Sequence, residues 1–123
     1  MTRNPHPTVL VVEDNPDLRD TISELLESES FASWTAESAA DALRQLETRR
    51  DRPDVILLDV VMPGMPAVDF IARFRENPAW SDTRIVFMTG LSSAHLPRSV
   101  EVDAIVKKPF TPDQLFSTIR SVL

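Results

Sequence analysis

The sequence predicts an α/β fold in which helices cover both faces of a parallel β-sheet. Five short apolar runs alternate with segments whose apolar residues recur at helical spacing. Strands that alternate with helices form parallel sheets, and such sheets are buried on both faces. The chain has 123 residues, of which 42% are hydrophobic and 26% charged, so it can form one core. We expect a single domain over residues 1–123, with residues 1–7 as an N-terminal tail.

The first half of the chain contains two predicted strand–helix pairs. Residues 8–13 form an apolar strand, and residues 31–36 form a weaker one. Asn15 followed by Pro16 has the pattern of a helix cap with proline in the first turn, and Ser38 can cap the second helix. The predicted inner faces are Leu18, Ile22, Leu25 and Leu26 in the first helix, and Ala39, Ala42, Leu43 and Leu46 in the second.

The middle of the chain contains the clearest predicted strand, at residues 54–59. The tripeptide at residues 51–53 ends in proline and separates this strand from the second helix. A third helix fits about residues 67–76. We expect its inner face to consist of Val68, Ile71 and Phe74.

The last part of the chain contains two more predicted strands, at residues 84–89 and 103–107. Between them, segment 91–101 contains Pro97, which interrupts any helix there. Residues 111–114 have the spacing of a capping box, with proline at the first helical position. The predicted apolar face of the final helix is Leu115, Phe116, Ile119 and Val122.

Composition excludes several classes of protein. The net charge of −6 argues against direct nucleic-acid binding by this chain, because phosphate contacts need clustered Lys and Arg. The absence of cysteine excludes disulfides and thiolate metal sites. No apolar run approaches the roughly 20 residues of a membrane span, so we expect a cytoplasmic protein without membrane contact. With only Gly64 and Gly90 present, glycine-rich phosphate loops are excluded.

Polar side chains stand at or just beyond the carboxyl ends of four predicted strands. They are Glu13, Asp14, Asp59, Thr89 and Lys108. Open α/β sheets bind ligands at this edge, so we expect these residues to cluster although they are far apart in sequence. Three carboxylates and one ammonium group can hold a divalent cation and an anion together. That combination is what phosphoryl transfer requires.

The motifs around these residues identify a resemblance. The matching segments run from Val11 to Asp14, Leu57 to Gly64, Met88 to Gly90, and Lys107 to Phe110. Over about residues 8–122, the chain resembles the receiver domain of two-component response regulators. The resemblance implies a flavodoxin-like, doubly wound sheet of five parallel strands in the order 2-1-3-4-5.

The resemblance also implies a metal site and a nucleophile. Asp59 would be the phosphoacceptor, since a carboxylate can attack a phosphoryl group. Mg²⁺ would be the cofactor, bound by Glu13, Asp14, Asp59 and the backbone carbonyl of Val61. A helix N-terminal acid pair is the alternative interpretation of Glu13 and Asp14.

Two further residues would complete the catalytic set with Asp59. Lys108 would pair with Asp59 and then with the phosphoryl group, while Lys107 points to the opposite side of the pleat. Thr89 would donate its hydroxyl to a phosphoryl oxygen. The resemblance implies a cis bond between Lys108 and Pro109. The alternatives are that both lysines are solvated and that Thr89 is an ordinary strand end.

The chain departs from the family pattern outside the predicted phosphorylation site. Ile105 replaces the usual aromatic residue of the last strand. The shortened interval containing Pro97 predicts a fourth helix that is short, irregular or absent. In this family the residues two beyond the phosphoacceptor and two beyond the threonine flank the hydrolytic water, and here they are Val61 and Leu91. Neither side chain can hold a water molecule, which predicts a long-lived phosphoryl group.

The leading functional hypothesis is a phosphoacceptor module that catalyses only its own modification and is not a conventional enzyme. Its expected partners are a histidine kinase or histidine phosphotransfer protein, and a downstream protein. The main alternative is a pseudo-receiver, an interaction module without phosphorylation, although the complete set of polar residues argues against it. A haloacid-dehalogenase-type phosphatase would need an aspartate where Val61 stands.

Overall fold

The protein is described by a computed structural model that covers residues 6–90 and 101–123. Strands and helices alternate as predicted, and strand bounds differ from the prediction by at most one residue. The elements are β1 (Thr8–Val12), α1 (Pro16–Ser28), β2 (Ala32–Ala36), α2 (Ala39–Thr48), β3 (Val55–Asp59), α3 (Ala67–Arg75), a 3₁₀ turn (Pro78–Trp80), β4 (Arg84–Thr89), β5 (Ala104–Lys107) and α4 (Pro112–Val122). The prediction of a short or irregular helix after β4 falls on residues 91–100, outside the described part.

The five strands form one parallel sheet in the order β2-β1-β3-β4-β5, which confirms the predicted topology. The register aligns the carboxyl ends of the strands. Val12 lies beside Leu58, and Thr89 lies beside Lys107. All strand-end polar residues therefore meet at one edge, which we call the carboxyl edge; the opposite edge, where the strands begin, is the amino edge.

The helices begin where the sequence predicts, because their caps are local. The Asn15 side chain accepts hydrogen bonds from the backbone N–H groups of Asp17 and Leu18. Ser38 accepts one from the Asp41 N–H in the same way. Thr111 and Gln114 form the complete capping box, each side chain accepting from the other residue's backbone N–H.

Each central strand contributes alternate side chains to two cores. In β3, Ile56 and Leu58 pack under α2 and α3, whereas Val55 and Leu57 pack under α1 and α4. All four are completely buried. This explains why the β3 sequence is continuously apolar up to Asp59: neither face of this central strand meets water.

The inner face of α3 differs from the prediction. Ile71 and Phe74 are buried as expected, but Val68 is only partly buried, and Phe70 is completely buried. Ala67, Phe70, Ile71 and Phe74 form the stripe at i, i+3, i+4 and i+7, and Val68 lies beside it. The helix is therefore rotated slightly from the predicted orientation.

Candidate functional site

Backbone hydrogen bonds hold the strand ends of the carboxyl edge together. The Lys108 N–H donates to the Thr89 carbonyl at 2.7 Å, and the Val60 N–H donates to the Met88 carbonyl at 3.2 Å. The Glu13 N–H donates to the Ala36 carbonyl at 3.1 Å. The backbone that carries the side chains of this edge is therefore fixed by the hydrogen bonds of the sheet.

Three carboxylates converge at this edge. Glu13, Asp14 and Asp59 each have an oxygen within 4.8 Å of an oxygen of the other two. Glu13 is 2% exposed and Asp59 is 5% exposed, whereas Asp14 is exposed. The cluster therefore has a buried inner part and opens to solvent at Asp14.

Lys108 supplies the positive charge of the site. Its Nζ lies 3.1 Å from Asp59 Oδ2 and 3.4 Å from Glu13 Oε2. One ammonium group thus faces two nearly buried carboxylates, so the negative charge of the cluster is only partly offset. Lys107 is exposed, as the alternation of a strand predicts.

Burial and the crowding of acids in the cluster change the pKa of Glu13. Burial, followed by the hydrogen bond and the repulsion from Asp59, raises the pKa of Glu13 from 4.5 to about 7, and Lys108 opposes this shift. The protonated form of Glu13 is therefore stable to higher pH than that of an ordinary glutamate. A cation at the cluster would favour its ionised form.

The loop after β3 holds the Asp59 carboxylate in place. The Val61 N–H donates to Asp59 Oδ1 at 3.0 Å, while Lys108 donates to Oδ2. The Val61 side chain is 59% exposed. Asp59 thus has one oxygen oriented by the backbone and the other by a cation, with an apolar side chain at the solvent boundary.

Thr89 is completely buried at the end of β4, next in sequence to Met88, which pairs with Asp59 across the sheet. Its carbonyl anchors the Lys108 backbone. The peptide bond between Lys108 and Pro109 is cis, which confirms that expectation. The roles of Thr89 as a hydroxyl donor and of the Val61 carbonyl as a metal ligand stay predictions.

The donor set of the cluster fits Mg²⁺. It consists of carboxylate oxygens, and Mg²⁺ prefers oxygen ligands. Mg²⁺ also retains several waters, and the exposed Asp14 leaves room for them.

One residue that supports the site was not predicted from the sequence. Arg19, in the first turns of α1, donates from Nη1 to the Glu13 carbonyl at 3.0 Å. This contact ties the first helix to the end of β1. An arginine at that position is ordinary in a helix, so the sequence contains no pattern that distinguishes it.

Comparison with known proteins gives a consistent result. Residues 9–120 match the family model of the response regulator receiver domain. The chain is 31% identical over 118 residues to the phosphate regulon transcriptional regulatory protein PhoB of Escherichia coli, covering 94% of this chain and 51% of that protein. It is 30% identical over 115 residues to the DNA-binding response regulator MtrA of Mycolicibacterium smegmatis, with 94% and 50% covered. The chain thus spans about half the length of these curated relatives.

Two solved structures show the same fold. The chemotaxis response regulator CheY4 of Vibrio cholerae has a TM-score of 0.86 and 29% identity, covering 96% of this chain and 99% of that one. The response regulator TrrA of Thermotoga maritima, solved in complex with Mg²⁺-BeF, has a TM-score of 0.79 and 28% identity, with 95% and 99% covered. Within residues 6–90 and 101–123, no helix is long and apolar enough to cross a membrane.

Proposed function

The chain belongs to the response regulator receiver domain family, and we propose that Asp59 accepts a phosphoryl group from a phosphohistidine donor with Mg²⁺ as cofactor. Receiver domains act in phosphorylation-based two-component signalling. In this proposal, phosphorylation of Asp59 changes the binding of a downstream protein. The chain catalyses only its own phosphorylation and dephosphorylation, and we do not class it as a conventional enzyme.

One observation carries this proposal. An almost buried aspartate, Asp59, lies 3.1 Å from the Lys108 ammonium and within 4.8 Å of the carboxylate oxygens of Glu13 and Asp14. Repulsion between acids does not stabilise a fold, so a purely structural role would not place three carboxylates together. Here the acids outnumber the cation, and the cluster opens toward solvent, as a site for a cation and an incoming anion must.

The chemical step needs a nucleophile and a way to offset charge. An Asp59 oxygen forms a bond to phosphorus while the P–N bond of the phosphohistidine breaks and its electron pair goes to the imidazole nitrogen. Lys108 can pair first with the Asp59 carboxylate and then with the phosphoryl oxygens, because its ammonium group is a point charge on a flexible side chain. Thr89 supplies a hydroxyl to a phosphoryl oxygen.

Glu13, Asp14, Asp59 and the Val61 carbonyl would hold the metal. Bound Mg²⁺ offsets the repulsion between these acids and the phosphoryl oxygens. Hydrolysis ends the signal: a water oxygen bonds to phosphorus, the bond to the Asp59 oxygen breaks, and inorganic phosphate leaves. The proposed donor is a histidine kinase or histidine phosphotransfer protein, and the proposed location is the cytoplasm.

The test is incubation of the protein with acetyl phosphate and Mg²⁺, followed by intact mass measurement. We expect one added phosphoryl group in the parent and none in Asp59→Asn. The matched control is Asp69→Asn, which removes an exposed aspartate of α3 and should be phosphorylated like the parent.

The Asp59→Asn variant should also fold normally. It removes one of several like charges, so its free energy of unfolding should be equal to or above that of the Mg²⁺-free parent. An undiminished mass shift in folded Asp59→Asn would exclude Asp59 as the acceptor. A parent that gains no phosphoryl group under any donor would favour the pseudo-receiver.

A further inference from the structure

A cavity of about 270 Å³ lies at the amino edge of the sheet, remote from the acid cluster. It is formed where the end of α3, the 3₁₀ turn, the start of β4 and the residue before β5 meet. Its lining includes Phe74, Arg75, Trp80, Thr83, Arg84 and Ile85. β4 has six residues, so about 17 Å of strand separates this cavity from the carboxyl edge.

The inner wall of the cavity is apolar and rigid. Phe74 and Trp80 stack with ring centroids 5.5 Å apart and an interplanar angle of 23°. Both rings and Ile85 are almost completely buried, so they are fixed by packing and present only small surfaces to the cavity. The Thr83 hydroxyl donates to the Pro53 carbonyl at 2.7 Å, which fastens the turn to the sheet.

The outer wall carries more positive than negative charge. The Asp103 carboxylate accepts from the Ile85 N–H at 2.8 Å through Oδ2, and its Oδ1 lies 3.8 Å from Arg84 Nη1. That distance exceeds a hydrogen bond, so most Arg84 donors are available. Arg75 donates to the Glu101 carbonyl, which carries no net charge. Among the described residues that line this cavity, two guanidinium groups therefore face one carboxylate.

We propose that this cavity binds a small carboxylate that has an apolar body, such as an aromatic acid. The carboxylate would bind the guanidinium groups of Arg75 and Arg84, since arginine pairs with planar carboxylates through parallel hydrogen bonds. The body would cover Phe74, Trp80 and Ile85. The volume lies just below the usual range for ligand pockets, so the cavity has room for a molecule of one ring and no more.

The test is a titration of the ¹⁵N-labelled protein with benzoate, followed through the indole N–H signals. The chain has two tryptophans, so Trp80 reports on the cavity, and Trp34, in β2 at the far side of the sheet, is an internal control. We expect a saturable shift of the Trp80 signal and none of the Trp34 signal. Benzamide has the same ring without the charge, and phosphate has negative charge without the ring. Both should therefore shift the indole N–H signal of Trp80 less than benzoate does.

Matched arginine variants test whether Arg75 and Arg84 bind the carboxylate of benzoate. Arg84→Gln and Arg75→Gln should each weaken benzoate binding by about fivefold or more. Arg73→Gln, also on α3 but outside this cavity, should bind benzoate like the parent. Equal shifts with benzoate and benzamide, an equal shift with phosphate, or an equal loss in Arg73→Gln would each overturn the proposal. Asp59→Asn should bind benzoate normally, so the result does not depend on phosphorylation.

Discussion

The two edges of the same sheet use carboxylates in opposite ways. At the amino edge, Asp54 Oδ2 accepts from the Thr8 N–H and Asp103 Oδ2 accepts from the Ile85 N–H, both at 2.8 Å. Each of these acids satisfies a backbone donor near the start of a strand. At the carboxyl edge, Glu13 and Asp59 face each other and share one lysine.

This difference shows how to distinguish a structural acid from a functional one. A carboxylate that accepts a backbone N–H without repulsion from another acid lowers the free energy of the fold; Asp59 also accepts one, from Val61, so the two edges differ in the crowding of acids. Carboxylates that repel one another raise that free energy, and the repulsion is relieved when a cation binds. Removing an acid should therefore destabilise the fold at the amino edge, whereas at the carboxyl edge it should impair chemistry and leave the stability equal or higher.

The largest expected effect is on metal binding. Asp14→Ala should abolish measurable Mg²⁺ binding and phosphorylation, because Asp14 is the solvent-side carboxylate of the cluster. Asp17→Ala is the matched control, since it removes an exposed aspartate nearby in the first turn of α1. Mg²⁺ titration followed by NMR measures both affinities. If Asp14→Ala and Asp17→Ala bind Mg²⁺ equally well, general negative charge explains the affinity and Asp14 is not a ligand.

The next effect is on stability as a function of pH without Mg²⁺. The pKa of Glu13 is raised from 4.5 to about 7 in the folded protein, so between these values only the folded chain keeps the proton. This contribution is complete below pH 4.5 and is lost as pH rises through about 7. The loss should be about 3 kcal/mol.

The Glu13→Gln variant isolates this contribution, because all other titrating groups are common to both proteins. Glutamine resembles the protonated acid, so the variant and the parent should have similar stability at pH 4.5, and the variant should be more stable at pH 8. Urea unfolding at several pH values gives the difference. A difference independent of pH would contradict the electrostatic strain assigned to the carboxyl edge.

A smaller effect is expected on the lifetime of the phosphorylated protein. Val61 is 59% exposed beside Asp59 and cannot hold a water molecule through its side chain. Val61→Asn should therefore speed hydrolysis, by about tenfold, or ~1.4 kcal/mol in the barrier. The corresponding prediction for Leu91 lies outside the described residues.

Loss of the added mass over time in Mg²⁺ buffer measures this lifetime. Ile105→Asn is the control, because Ile105 is another exposed apolar residue, 42% exposed, on β5. Unchanged decay in Val61→Asn would show that the apolar side chain at this edge does not limit the approach of water.

The smallest effect is expected at the amino edge. Asp54→Ala should lower the free energy of unfolding by about 1 kcal/mol, because the Thr8 N–H loses its acceptor. Asp54→Asn keeps an acceptor oxygen and should lose less. Both variants should be phosphorylated by acetyl phosphate at the parent rate. A parent-like stability combined with slow phosphorylation would reverse the assignment of the two edges.

Local interactions made much of the fold predictable from sequence. Asn15, Ser38 and Thr111 cap helices through contacts within three residues, and the apolar runs specify strands buried on both faces. The prediction failed where the spacing of apolar residues allowed two orientations of a helix. In α3, Val68 and Phe70 are both apolar, and only packing against the sheet decided that Phe70 is buried.

The sequence by itself determined which residues stand at strand ends, because strand boundaries follow from apolar runs and their flanking residues. The tertiary structure alone decided what those residues meet. Lys108 and Asp59 are 49 residues apart and come within 3.1 Å, and the raised pKa of Glu13 exists only once burial removes water from it. The pairing of Asp103 with the Ile85 N–H arises in the same way. Such contacts depend on the order of the strands and on how deeply each residue is buried. Both are properties of the whole sheet and not of any local segment.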